Sequence, residues 1–203
     1  SLCLMRDDEP ELSGCGNYNL PILSSDGQRT AFNLYFIDSL GGGGSYYDYV
    51  KQDQIDWYVR TSNALKAANG GVPVPSMEFQ HIPLPELRTV ASEGLIHTGE
   101  NNEGVSGPYY NSGLFQAMVQ QGDMIAAFCG HNHTNTYIGT LDGVDLGFTP
   151  GAGFNEYGAA KERGVRVIEL HESDLSTYDT HLLTFIGPVS YTHLRAHETE
   201  LHL

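Results

Sequence analysis

The sequence predicts a mixed α/β protein whose C-terminal part is rich in antiparallel β-structure, and three observations carry that expectation. Residues Ala31 to Asp38 alternate Phe32, Leu34 and Phe36 with Asn33, Tyr35 and Ile37, the period of two that marks a strand. From Asp53 onward Ile55, Tyr58, Val59, Leu65 and Ala68 recur near the 3.6-residue helical period. Beyond Asp123 short apolar runs follow closely on one another, and Asp142-Gly143 between two of them is a hairpin turn signal. No internal repeat is visible.

Residues 1–30 are polar and turn-rich, with Gly14, Gly16, Asn17, Pro21 and the Ser24-Ser25-Asp26-Gly27 cluster, and read as a surface segment leading into the strand Ala31 to Asp38. Gly41 to Gly44 read as a plain flexible linker. The helix from Asp53 should make about four turns and stop at Asn69-Gly70-Gly71. Met77 to Pro83 follows as a short strand ending in His81-Ile82-Pro83. Residues 84–110, rich in Glu, Asn and Gly, read as one long loop of the kind that carries function. A second helix takes Asn111 or Ser112 as N-cap, turns Leu114, Phe115, Met118 and Val119 inward, and ends at Gly122. Strands are then expected at Asp123–Cys129, Thr136–Leu141, Val144–Phe148, Val165–Leu170 and Leu182–Ile186. From about residue 188 to 203 there is no period and no apolar face. Val189 to Thr199 resembles translated adapter sequence, so the histidines at 193, 197 and 202 receive no role. The predicted organisation is a leading segment (1–30), one domain (31–187) and a non-native-looking, disordered tail (188–203).

Ten Lys+Arg against 25 Asp+Glu leave a net charge of −15, a field that repels phosphate backbones and anionic headgroups alike and argues against nucleic-acid and membrane partners. With 40% hydrophobic and 17% charged residues the composition is that of a single globular domain. A chain of this length buries roughly 70% of its unfolded surface. No apolar run approaches the about 18 residues of a membrane span. Cys3, Cys15 and Cys129 form no C-x-x-C pair. A Cys3–Cys15 disulfide would leave one thiol over, and the compartment stays open, as does the oligomeric state. The chain begins at Ser1 with no basic and apolar leader, which suggests a piece of a longer protein.

The candidate chemistry lies in histidines. Gly130-His131-Asn132-His133 follows the strand Asp123–Cys129, and residues two apart on extended backbone point the same way. Both imidazoles can thus face an ion just past the carboxyl end of a strand, where open α/β sheets bind ligands. Gly130 lets the backbone bend there, and neutral imidazole suits Zn, Fe or Mn. With nine histidines in 203 residues the H-x-H pattern alone is weak. His81, also at a strand end, gains meaning only if it converges with His131 and His133. His97, His171 and His181 read as solvated or locally bonded. Asn132-His133-Thr134 matches a glycosylation sequon by coincidence. The turn Pro150 to Asn155 either borders a phosphate with the backbone N–H groups of Gly151 and Gly153 or is purely structural. Tyr109, Tyr110 and Asn111 are candidates to line the substrate entrance from the long loop.

Four blocks in order, Phe36-Ile37-Asp38-Ser39, Ile55-Asp56-Trp57-Tyr58, Phe79-Gln80-His81-Ile82-Pro83-Leu84-Pro85-Glu86 and Phe128-Cys129-Gly130-His131-Asn132-His133-Thr134-Asn135, resemble the C-terminal half of calcineurin-like metallophosphoesterases of the purple-acid-phosphatase-related branch, over about residues 15–186. The resemblance implies the C-terminal part of a four-layer α/β/β/α sandwich with mixed sheets. It also implies two divalent or mixed-valence metal ions (Fe, Zn or Mn) at the sheet edge, bridged by hydroxide and clamping a phosphate-ester substrate, with no organic cofactor. It places His81 and His131 on one ion and His133 on its neighbour. Two cations about 3.5–4 Å apart acidify a water and neutralise charge on the transferring oxygens.

Of the family's N-terminal blocks D-x-H, G-D-x-x-D or -Y, and G-N-H-D or -E, which supply the carboxylates, the bridging ligand, an asparagine and the leaving-group histidine, the last two occur nowhere in these 203 residues, and D-x-H is matched only by Asp179-Thr180-His181, which follows the four blocks instead of preceding them. No catalytic residue is therefore assigned. The expectation is a phosphatase or phosphodiesterase in the longer protein, with this chain alone binding metal weakly and turning over little or nothing, and with an unpaired sheet edge where partners are missing. Two rival readings are a metal-dependent amidohydrolase and a metal-poor interaction module without turnover. A TIM barrel of the first kind conflicts with the run of short hairpin-like strands, and metal content separates the second.

Overall fold

The computed structural model describes residues 3–7, 9–42, 46–159, 161–185 and 187–188. Gly43 and Gly44 of the glycine run, and the expected tail from residue 189 onward, lie outside the described residues. The elements run β1 (Tyr18–Leu23), β2 (Thr30–Phe36), α1 (Gln52–Ala68), β3 (Ser76–Gln80), α2 (Glu86–Ser92), β4 (Ile96–Thr98), α3 (Leu114–Gln121), β5 (Met124–Cys129), β6 (Ile138–Leu141), β7 (Val144–Phe148), β8 (Gly164–His171), β9 (Asp174–Thr184) and β10 (Gly187–Pro188).

A seven-stranded sheet in the order β1-β2-β3-β5-β7-β6-β4 forms the centre. Its inner strands β2, β3, β5 and β7 are parallel, while β1, β6 and β4 pair antiparallel at the flanks. A second sheet, β10-β9-β8, is wholly antiparallel. The expected mixed α/β class holds, but the antiparallel character is confined to the flanks and the second sheet.

Strand alternation sorts the core into two halves. Tyr35, Ala127, Cys129, Leu146 and Phe148 face Trp57 and Tyr58 of α1, Leu87 and Val90 of α2, and Leu114, Phe115 and Met118 of α3. On the other side Phe32, Met77, Ala126, Phe128 and Ile138 meet Ile168 and Leu170 of β8 and Leu175 and Tyr178 of β9. The described residues thus stack as helices, large sheet and small sheet. Polar contacts also join the sheets. Arg166 of β8 donates through Nη2 to the carbonyls of Thr136 (2.7 Å) and Phe148 (3.0 Å), and burial brings its pKa down to about 10. Tyr178 donates to Asp145 Oδ2 at 2.8 Å.

Local signals explain where the elements match and where they differ. Helix α1 begins with the Lys51 N–H donating to Gln54 Oε1 (2.8 Å) and ends, as predicted, with Gly70 and Gly71 at φ 69° and 88°. The Asp142-Gly143 turn has both residues at positive φ, 46° and 83°, and joins β6 to β7. The leading segment, by contrast, contains β1. Tyr18 stacks on Phe36 at 4.7 Å, and Pro21 is accommodated because β1 is an edge strand.

Residues 84–110 are not a single loop, since they contain α2 and β4. Both are short, and their polar surroundings hide two buried side chains, Leu87 and Val90. A Cβ at Gly139 would come within 2.5 Å of Val90 Cγ1 and 2.6 Å of the Leu95 carbonyl, so helix α2 packs directly against β6. Helix α3 starts at Gly113 rather than Asn111 or Ser112. Gly113 is left-handed (φ 88°), and its N–H donates to Asn111 Oδ1 at 2.9 Å. The expected strand Leu182–Ile186 overlaps the end of the eleven-residue β9, whose polar first half masked its length.

Candidate metal centre at the carboxyl edge of the sheet

Strands β3 and β5 are parallel neighbours, so their carboxyl ends bring His81 and the loop Gly130–His133 side by side. The Gly130 N–H donates to the His81 carbonyl at 3.2 Å, extending the strand pairing into the loop. His131 Nδ1 lies 3.3 Å from His81 Nε2, with ring centroids 5.2 Å apart. Two imidazole nitrogens each about 2.0–2.1 Å from one tetrahedral cation are about 3.3–3.4 Å apart. This donor pair therefore has the spacing of two ligands on a single ion.

His133 is held differently. Its Nδ1 is 2.8 Å from the Tyr157 carbonyl, and its ring stacks on that tyrosine at 4.3 Å and 14°. A neutral ring that donates its Nδ1–H to a carbonyl keeps the Nε2 lone pair for a cation. Burial and then the neighbouring His133 hold the pKa of His81 below the usual histidine value. Burial, then His81 and His133, do the same for His131 against the opposing pull of Glu103. Both shifts favour the neutral ring, the form that binds metal.

The bend in this loop falls on His131, whose φ of 66° is left-handed, and not on Gly130 as the sequence suggested. For a residue with a side chain that conformation costs of order 1–3 kcal/mol and persists only when its surroundings impose it. Two fully buried amides impose it here. Asn132 Oδ1 accepts the Ser106 N–H (3.1 Å) and its Nδ2 donates to the Gly104 carbonyl (2.9 Å). Asn135 Oδ1 accepts the N–H groups of Asn102 (2.9 Å) and Glu103 (3.0 Å), and its Nδ2 donates to the Glu103 carbonyl (2.9 Å). The Glu103 carboxylate accepts from the Thr134 N–H (2.7 Å) and hydroxyl (2.8 Å) and from the Tyr157 hydroxyl (3.0 Å). Burial acts to raise the pKa of Glu103, but these donors, Thr134 foremost, hold it below the usual value. The sequon is unavailable in the folded chain, because both polar atoms of the Asn132 amide are buried and bonded.

The other candidates separate by what they touch. Tyr109 and Tyr110 line an open cleft of about 490 Å³. Asn111 is committed to structure, donating to Glu86 Oε1 (2.6 Å) as well as accepting from Gly113. The Gly151 N–H donates to the His133 carbonyl (3.2 Å), and a Cβ at 151 would sit 3.1 Å from His133 Cβ and Cγ, so Gly151 is a close seat for that histidine. The Gly153 carbonyl accepts from Arg163. His97 contacts Thr140 (3.1 Å) and His171 contacts Asp179 (2.9 Å), the local bonding expected of them. No signal in the sequence marks Glu103, Asn135 or Tyr157 as a site residue. Tyr157 lies 24 residues beyond His133, with no spacing to mark it.

Among the described residues a second group of ligand-type side chains, Glu169, His171 and Asp179, lies on the β8–β9 hairpin, its ligand atoms within 4.8 Å of one another. The cysteines form no disulfide among the described residues. No helix among them is long and apolar enough to cross a membrane.

No protein-family model matches the chain. It is 35% identical over 176 residues to the probable inactive purple acid phosphatase 29 of Arabidopsis thaliana, covering 77% of this chain and 44% of that protein. The probable inactive purple acid phosphatase 14 of the same plant is 34% identical over 175 residues (78% and 43%). Phosphatase DCR2 of Saccharomyces cerevisiae is 33% identical over 146 residues, 65% of this chain and 24% of that protein. The chain spans less than half the length of these curated relatives. Sequence identity over most of its length, on a mixed α/β fold consistent with part of a metallophosphoesterase, makes the chain a homologue of the purple-acid-phosphatase-related proteins, matched over a partial region of them.

Proposed function

We propose that this chain supplies the imidazole half of a dinuclear metal centre in a phosphoesterase, within a four-layer sandwich completed by sequence outside these residues. The 3.3 Å spacing of His131 Nδ1 and His81 Nε2, a donor pair with the separation of two ligands on one cation, carries the reading. His81 and His131 would hold one ion, and His133, its ring turned by the Tyr157 carbonyl, would hold the neighbour. When bound, two ions of the Fe, Zn or Mn class supply an acidified water for attack at phosphorus and positive charge for the transferring oxygens. The chain's own residues position that chemistry. Asn132 and Asn135 fix the loop, Tyr157 orients His133, and Gly151 keeps that ring seated. The leaving-group acid and the carboxylate ligands belong to the blocks D-x-H, G-D-x-x-D or -Y, and G-N-H-D or -E.

Two measurements test the proposal. The 203-residue chain with manganese or iron is expected to hydrolyse 4-nitrophenyl phosphate no faster than the metal alone, and a rate typical of enzymes that vanishes in His131→Ala would refute this. A longer protein carrying those three blocks is expected to hydrolyse phosphate esters and to lose the activity in His131→Ala. If that protein holds no metal and fails to bind phosphate, the metal-poor interaction module is the better reading.

A further inference from the structure

An aromatic cleft adjoins the histidines. Tyr46, Tyr47, Tyr49, Tyr109 and Tyr110 and the side chain of Arg88 line the opening of about 490 Å³. Among the described residues no acidic side chain lines it, although the chain carries a net charge of −15. Residues Tyr46, Tyr109 and Tyr110 are 76%, 88% and 60% exposed, and the rings of Tyr49 and Tyr110 pack together at 4.4 Å. Arg88 is already engaged. It donates to the carbonyls of Gly107 (2.6 Å) and Pro108 (2.7 Å), and its guanidinium lies over the Tyr109 ring at 5.1 Å, so it holds that ring in place. The cleft also joins the proposed metal centre, because the Tyr47 ring meets His131 edge-on at 4.7 Å.

Resting on the dinuclear reading, we infer that this cleft is the leaving-group subsite and that it selects phosphate esters whose alcohol portion carries a planar aromatic ring system. Tyrosine offers a flat π face and has few rotors to immobilise, so stacking on it costs little order. An aliphatic alcohol gains no such stacking, and a cleft free of carboxylates does not repel the attached phosphate. One ring, Tyr47, separates the cleft from His131, so an ester held at the histidines has its alcohol portion directed into the tyrosines.

Adenosine tests this without phosphate or metal. The 203-residue chain should bind adenosine at millimolar concentration, read by calorimetry and tyrosine fluorescence, and should not bind glycerol. The double variant Tyr46→Ala/Tyr109→Ala removes two exposed rings, and its circular dichroism and melting temperature should match the parent. It should weaken adenosine at least about tenfold, the scale of one lost stacking partner. Absence of adenosine binding, equal binding of glycerol, or an unchanged affinity in the double variant overturns the inference. Zinc binding, measured in parallel, keeps the two readings apart. Adenosine bound without zinc at the histidines leaves a ring-binding cleft and removes the dinuclear reading. Zinc bound at the histidines without adenosine removes the subsite alone.

Discussion

His131→Ala is expected to weaken binding of the first zinc ion by about a hundredfold or to abolish it, measured by calorimetry on the 203-residue chain. His131 and His81 are the paired donors, so losing His131 leaves His81 as the single imidazole of that pair. Loss even of outer-shell partners costs 10–100-fold in metal affinity, and removal of a direct ligand should cost at least as much. His171→Ala, on the β8–β9 hairpin, should leave the first ion's affinity unchanged, because its Glu169 and Asp179 neighbours lie on the other sheet. Equal losses in the two variants would mean that zinc does not distinguish the histidine edge from the hairpin.

Glu78→Met should stabilise the fold. Glu78 sits on β3 facing the helices, fully buried, and neither carboxyl oxygen meets a hydrogen-bond partner among the described residues. Burial pushes its pKa well above the usual carboxylate value. The sign follows from proton linkage. The folded state keeps this proton where the unfolded chain has lost it. The contribution of Glu78 is therefore best below the unfolded value near 4.5 and declines as pH rises toward the folded pKa, by about 1.4 kcal/mol per pH unit. An unbranched apolar side chain of similar length removes both the unsatisfied oxygens and the slope. Removing an unsatisfied buried carboxyl group gains about 1–3 kcal/mol, a rise in Tm of roughly 2–12 °C for a chain of this size at neutral pH. The advantage over the parent should shrink as pH falls toward 4.5. Asp123 has a pKa raised by burial too, despite accepting from Tyr58 at 2.5 Å, so some pH dependence of the same sign should persist in the variant. A lower Tm at pH 7, or an advantage that does not vary with pH, would contradict this account of Glu78.

Much of the fold was legible where a local signal was strong. The alternation through Phe32 and Tyr35, the Asn69-Gly70-Gly71 stop and the Asp142-Gly143 turn each act within a few residues, and each element formed near its expected place. Helix α2 and strand β4 escaped because seven and three residues are too few to show a period, and burial of Leu87 and Val90 depends on distant β6 and β7. The candidate histidines were marked by their positions at strand ends. That β3 and β5 are neighbours, however, is a long-range outcome of sheet order that no spacing encodes. The strain at His131, the amide braces Asn132 and Asn135, and the turning of His133 by Tyr157 are likewise products of loops meeting in space.

Anomalous diffraction from zinc-loaded crystals, collected on both sides of the zinc edge, tests the central claim most directly. The predicted result is a peak within about 2.1 Å of both His81 Nε2 and His131 Nδ1. A zinc peak found only among Glu169, His171 and Asp179, with none at the carboxyl ends of β3 and β5, would contradict it.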